Sequence, residues 1–381
     1  MTDHIPEDLD PAGRDLRGYT DQLRADHDVV RSVRGEWVLL RHADVRAAAL
    51  DHRTFSSAVS AHLQVPNGLD GEAHAAARET LDAYFTEAAL APFAEVFTAV
   101  ATDLLATTPP DEPIDAVDDL GARFAVRAQS AWLGWPADLE DTLLDWMATN
   151  HAASRSGDRD RTRRVAEDFD AIIRSILEPR RAPGVAAPPD LTTRLMRDTI
   201  AGRPVTDEEL VSVLRNWTGG DLGSIALCVG VLFEYLAANP ELQPQLVALP
   251  DPELDAAIDE ILRIDDPFPA NRRRTTCPVR IGGADIPADA VVKLHWTSAN
   301  RDEAVVGAPN RFDPARNAEH NLVYGIGKHV CPGRPLATMQ LRILLRVTLD
   351  HRRILPADTT PEREVAPVGG FRRVPVLVSA P

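Results

Sequence analysis

The residues with the most chemistry in this chain lie between Asn321 and Arg334, in the run Asn-Leu-Val-Tyr-Gly-Ile-Gly-Lys-His-Val-Cys-Pro-Gly-Arg. Cys331 is its soft, ionisable centre, and Lys328 and His329 add donors nearby. Gly325, Gly327 and Gly333 let the backbone approach a bound group closely. A helix predicted from about Arg334 to Leu349 starts just past the cysteine, so its dipole and free N–H groups would favour a thiolate. A thiolate on a glycine-shaped loop suits a soft metal centre or a nucleophile. A nucleophile needs a partnered base, and arginines accompany this cysteine instead. A phosphate-loop reading of Gly-Ile-Gly-Lys-His fails, because neither the P-loop nor the dinucleotide fingerprint completes itself.

The elements that must position this loop are mostly helical. Thr206 and Glu209 form a T-x-x-E capping box, and Asn239-Pro240 is a stop signal. About thirty residues between them predict one helix of roughly 45 Å. Its second half is apolar nearly all round, which marks a helix through the middle of a protein. Gly219, Gly220 and Gly223 interrupt it beside Asp221 and Ser224. Each glycine costs about 1 kcal/mol against alanine, which points to close helix packing, a kink, or a flat ligand against the backbone. A second helix is predicted from Asp251-Pro252, with Asp251 as its N-cap, and carries Glu260 and Arg263 on one face. Helical spacing runs from His74 to about Ile176. Short strands are predicted at Trp37–Leu40, Val279–Ile281 and Val291–Leu294. The fold class is therefore mostly α with a small β region, in one domain spanning 1–381.

Composition narrows the partners. The chain has 381 residues and a net charge of −17, which argues against nucleic acid and against an anionic membrane. Its three cysteines, Cys228, Cys277 and Cys331, form no disulfide framework and no zinc pair, so a reducing cytoplasm is the simplest location. The N-terminal stretch has no apolar core, so no signal peptide or membrane anchor is expected.

The loop Tyr324-Gly-Ile-Gly-Lys-His329-Val-Cys331-Pro-Gly333 resembles the heme-ligand signature of the soluble bacterial-type cytochrome P-450 family. Only the first position departs, with Tyr324 in place of phenylalanine. The resemblance covers almost the whole chain. Glu260-x-x-Arg263 is similar to the family's E-x-x-R pair, and Phe312-Asp-Pro-Ala-Arg316 looks like the arginine that closes its ion-pair triad. Ala299-Asn-Arg-Asp302 is similar to the run that precedes it. The resemblance implies heme b between the long central helix and the cysteine loop, with Cys331 as the iron ligand. It implies His74, Arg78, Arg273 and His329 as partners of the heme propionates, anions that need charge-assisted donors. Gly220, Tyr324, Gly325 and Gly333 would border the ring. Thiolate ligation favours O–O cleavage, so a monooxygenase is implied, with ferredoxin and ferredoxin reductase as electron donors. Arg334, Arg342 and Arg346 would form a basic patch for an acidic ferredoxin.

Two departures bear on the reaction. The family carries an acid followed by an alcohol in the long helix. Aligning the double glycine would place Leu222 and Gly223 there; spacing to Asn239-Pro240 and to Glu260 favours Gly223 and Ser224 instead, in which case the alcohol survives and the acid does not. Asp221, one turn earlier, and Ser224 are the catalytic candidates for proton delivery. Peroxide use, or hydrogen-atom abstraction leading to radical coupling, stays open alongside hydroxylation. The Phe55–His74 segment is shorter than the family's cap, which implies an open distal face. A bulky organic substrate of specialised metabolism is expected, with cross-linking of aromatic side chains in a peptide or other aromatic metabolite as the alternative. A non-catalytic heme sensor is the competing class. The arginines at 155, 159, 161, 163 and 164 read either as a solvated face or as a dock for an anionic substrate.

Overall fold

The computed structural model describes residues 4–5, 15–110, 112–184 and 186–380. Most of the N-terminal stretch read as lacking a leader lies outside the described residues. The central helix runs unbroken over Asp207–Ala238, and Thr206 and Glu209 close the capping box at its start. Its apolar residues meet a core drawn from most of the other helices. By length and composition, Asp207–Ala238 and the run Glu87–Thr107 could each cross a bilayer. In the central helix 67% of the most apolar window is buried inside this core instead. The crossing with the π-helical segment Ala116–Ala122 is especially close, since a Cβ on Gly121 would lie 3.0 Å from the Ala226 backbone.

The β region is small and lies beside the helices. Among the described residues its largest sheet has six strands, in the order His4–Ile5, Val29–Ser32, Trp37–Leu39, Val291–His295, Ala270–Thr275 and Phe55–Ser56. Side chains alternate across a strand. That alternation turns Arg273 inward while Arg272 and Arg274 stay outward and pair with Glu36 at 3.1 Å and Asp289 at 2.8 Å. Among the described residues Arg273 makes no ion pair of this kind.

The second predicted helix spans Asp251–Ile264, with Pro250 as its N-cap. Asp251 is thus its first helical residue, not the cap, because its carboxylate turns to Arg346 at 2.8 Å. Glu260 and Arg263 are buried on one face and make a two-pronged pair at 2.7 and 2.9 Å. Arg263 also donates to the Asn300 carbonyl, while Glu260 accepts from Asn317 Nδ2 at 2.8 Å and from the Asp313 N–H at 3.0 Å. The third corner is therefore Asn317, not Arg316. The short helix Pro314–Asn317 turns about 100° per residue, so with Asn317 inward Arg316 is left exposed beside Gly307.

Glu260→Ala strands a fully buried guanidinium, which costs roughly 3–5 kcal/mol. The expected outcome is a large fall in the urea midpoint of the purified protein and in the yield of heme-loaded chain. A midpoint within experimental error of the parent would remove the structural role assigned to this pair.

Candidate active site and its family

Cys331 lies at the end of the loop Asn321–Val330, immediately before the helix Arg334–His351. Two glycines shape that loop, Gly325 and Gly327, at φ +69° and +77°. At Gly327 a Cβ would also lie 3.0 Å from Leu50, so both backbone angle and space call for glycine. The Cys331 N–H donates to the Tyr324 carbonyl at 2.9 Å. The N–H groups of Gly333 and Arg334 face the sulfur and favour its charge, as the helix start predicts. Burial outweighs them, with the charge of Asp221 acting in the same direction, and the thiol is pushed up to about 11. The protein alone therefore holds a thiol at neutral pH, and a positive metal would be needed to hold the thiolate. Tyr324 keeps its ring in the loop and its hydroxyl 3.5 Å from Thr338 Oγ1.

One cavity of about 530 Å³ joins this loop to the central helix. Cys331, Gly333, Gly325, Tyr324, His329 and Arg273 line it from one side, and Gly220, Asp221 and Ser224 from the other. The three helix glycines divide. A Cβ on Gly219 would lie 3.1 Å from Trp146, and one on Gly223 would lie 2.9 Å from His151, so both permit close packing. Gly220 alone would meet nothing within 4 Å, which is the surface a flat ligand could approach. The helix is continuous through all three.

Ser224 Oγ donates to the Gly220 carbonyl at 2.5 Å. Asp221 reaches toward the cysteine loop. Its two oxygens and the Cys331 sulfur all lie within 4 Å of the point a Cβ on Gly333 would occupy. Burial pushes its carboxyl up to about 7.

The four expected propionate partners come together at the rim. The His74 and His329 rings lie 4.2 Å apart. Arg78 donates to the Val330 carbonyl at 2.9 Å and pairs with Asp82 at 2.6 Å. Arg273 is only 9% exposed, and its side chain donates to the Arg272 carbonyl. Burial lowers its pKa, and among the described residues Asp70 is the charge that opposes this. Burial and the neighbouring His74 and Arg273 hold His329 down to about 4. Asp70, which sequence reading missed, sits 3.5 Å from His329 and also accepts from the Ser57 N–H. Arg78 is already paired with Asp82 and the two histidines are held neutral, so the buried Arg273 is the cation that a propionate would satisfy, with His74 and His329 as further hydrogen-bond donors. The donor set therefore fits heme: a soft sulfur, a flat backbone surface at Gly220, and buried cations at one edge. Asp221 would have to leave its place beside the sulfur.

On the opposite face of the cysteine loop, Arg334 pairs with Asp259 at 2.7 Å, Arg342 with Asp255 at 2.6 Å and Arg346 with Asp251 at 2.8 Å. The carboxylates stand at i, i+4 and i+8 on one helix, opposite the guanidiniums of its neighbour. The expected basic patch is thus a ladder of ion pairs.

Comparison with known proteins agrees with this geometry. The cytochrome P450 family profile matches residues 252–376. The chain is 30% identical to a beta-dihydromenaquinone-9 omega-hydroxylase of Mycobacterium bovis, over 91% of this chain and 72% of that one. It is 28% identical to the erythromycin C-12 hydroxylase of Saccharopolyspora erythraea, over 99% and 98%. The open cytochrome P450 EryK from S. erythraea superposes with a TM-score of 0.84 at 27% identity, covering 96% of each chain.

Two outcomes are expected at the site. Arg273→Gln should speed loss of heme to an apoglobin-type acceptor by about tenfold or more, since roughly 1.4 kcal/mol, the order of one charge-assisted hydrogen bond, is a factor of ten; an unchanged loss rate would exclude it as an anion partner. Cys331→Ser should abolish the red-shifted thiolate band of the reduced carbon-monoxide adduct, because a serine oxygen is a hard, high-pKa ligand; survival of that band would mean another residue holds the iron. Signature loop, fold and cation cluster converge on one assignment: this chain belongs to the cytochrome P450 family, whose cofactor is heme b.

Proposed function

We propose that this protein is a monooxygenase of specialised metabolism that oxidises a bulky organic substrate, in the cytoplasm, with electrons from a ferredoxin and its reductase. The observation that carries the reading is the mixed lining of the cavity above Gly220. Asn67, Asn150, His151 and Ser154 stand among its apolar residues. A compact terpene or fatty acid would offer those groups no partner, whereas a larger substrate bearing hydroxyls or amides would satisfy them. The arginines from 159 to 164 are outside that lining, and Arg155 is held by Glu364 at 2.6 Å. They favour the solvated-face reading over an anion dock. The free state of Cys228, Cys277 and Cys331 accords with a reducing compartment.

When bound, heme supplies the activation of dioxygen. Cys331 would hold its iron, with the Gly333 and Arg334 N–H groups steadying the sulfur's charge. His74, Arg78, Arg273 and His329 would hold the propionates. The Asp221 carboxyl, once moved from beside the sulfur, would face the cavity and could take up or release a proton there. The Ser224 hydroxyl can pass one across the cavity once it turns from the Gly220 carbonyl. The paired arginines of the opposite face would have to exchange partners for a ferredoxin to use them.

A second reading, oxidative joining of aromatic rings in a peptide or another aromatic metabolite, draws on the glycine at 223, which removes the usual acid. The names of the relatives, both hydroxylases, support hydroxylation as the default. A spectral binding screen of polyfunctional metabolites and short peptides, followed by turnover with ferredoxin and reductase, separates the two. Products gaining one oxygen support hydroxylation, and products losing two hydrogens support coupling. Binding and turnover confined to small terpenes would defeat both.

A further inference from the structure

On the central helix, the position where an acid is expected holds Gly223. The space its side chain would fill is taken from across the cavity by the imidazole of His151, on the helix Glu140–Ser156. A Cβ on Gly223 would lie 2.9 Å from His151 Nε2, 3.7 Å from Cε1 and 3.9 Å from Cδ2, so the ring edge fits against bare backbone. Alanine there would displace the ring. Among the described residues no protein group hydrogen-bonds His151, although it borders the same cavity as Gly220, Ser224 and Cys331. Asn150 and Ser154, on the same helix, line that cavity beside it. An imidazole offers one donor and one acceptor when neutral, and a site built around an unsatisfied polar ring discriminates for the group that satisfies it.

We propose that His151 is a specificity-determining residue of the distal pocket, which hydrogen-bonds a neutral hydroxyl of the substrate from the space that Gly223 leaves open. The proposal rests on the monooxygenase reading above and adds the chemical class of the group recognised. Burial lowers the pKa of the ring, and the nearby Arg155 acts in the same direction against the opposing charge of Glu364. A neutral ring suits an alcohol or phenol better than a carboxylate. Arg155, the nearest cation on the same helix, is already paired with Glu364. The sequence carries no signal for this, because His151 lies 72 positions from Gly223 and outside every motif.

The test uses heme-loaded protein and a matched pair of probes, biphenyl and 4-phenylphenol, which differ by one hydroxyl. Equilibrium dialysis should give the parent a preference of about tenfold for 4-phenylphenol, the order of one good hydrogen bond. His151→Phe should erase that preference while keeping affinity for biphenyl, and His151→Asn should restore part of it. Gly223→Ala should shrink the preference by pushing the ring aside. Equal binding of both probes by the parent, no binding of either, or a preference that survives in His151→Phe would overturn the proposal. Heme content and the carbon-monoxide spectrum, recorded on the same samples, report the thiolate site separately. An intact spectrum with turnover of any screened substrate leaves the monooxygenase reading standing even if His151 fails.

Discussion

The facing of one cysteine loop against the central helix governs the centre of this protein. Cys331 sits in the cavity between them, where burial raises the thiol to about 11 despite two backbone N–H groups aimed at it. A bound iron would reverse that balance, since a metal cation neutralises the thiolate that the protein leaves costly. The glycine-shaped loop, the open backbone at Gly220 and the rim of cations make sense as parts of one enclosure around such a group. Burial also acts on Asp221, whose carboxyl rises to about 7. Burial thus perturbs both groups that face each other across this cavity.

Charge around the gap follows a consistent division. The inner rim gathers Arg78, Arg273, His74 and His329, with Asp70 and Asp82 as nearby carboxylates, and burial first, then His74 and Arg273, depress the pKa of His329. On the outer face, each guanidinium of the Arg334–His351 helix meets a carboxylate of its neighbour. Between the two lies the buried Glu260–Arg263 pair, tied to the chain on either side through Asn300 and Asn317. Buried ion pairs contribute little net stability against apolar substitutes, but they are unforgiving of a missing partner. Here the pair joins the helix Asp251–Ile264 to the segment that leads into the cysteine loop.

Much of this was legible in the chain. The signature loop around Cys331, the long capped helix and the strands near Trp37, Val279 and Val291 follow from local patterns, because loop glycines, capping boxes and apolar periodicity act over a few residues. The cluster of His74, Arg78, Arg273 and His329 was legible only through the family resemblance, since no local spacing joins residues so far apart. Three readings needed the tertiary structure to correct them. The triad closes through Asn317, not Arg316, because helix rotation decides which of two adjacent residues turns inward. The basic patch is neutralised, because its carboxylate partners stand on another helix. Gly219 and Gly223 serve packing rather than a ligand, because Trp146 and His151 reach them from the helix Glu140–Ser156.

What the sequence by itself determined was the family, the cysteine loop and the long helix that faces it, all carried by short runs whose residue types have few other uses. Tertiary structure alone decided which polar groups share the substrate cavity. Asn67 comes from a turn, His151 from the helix Glu140–Ser156, and Asn216 and Asp221 from the central helix. Their convergence is set by how helices pack, a property of surfaces and crossing geometry that no local spacing records.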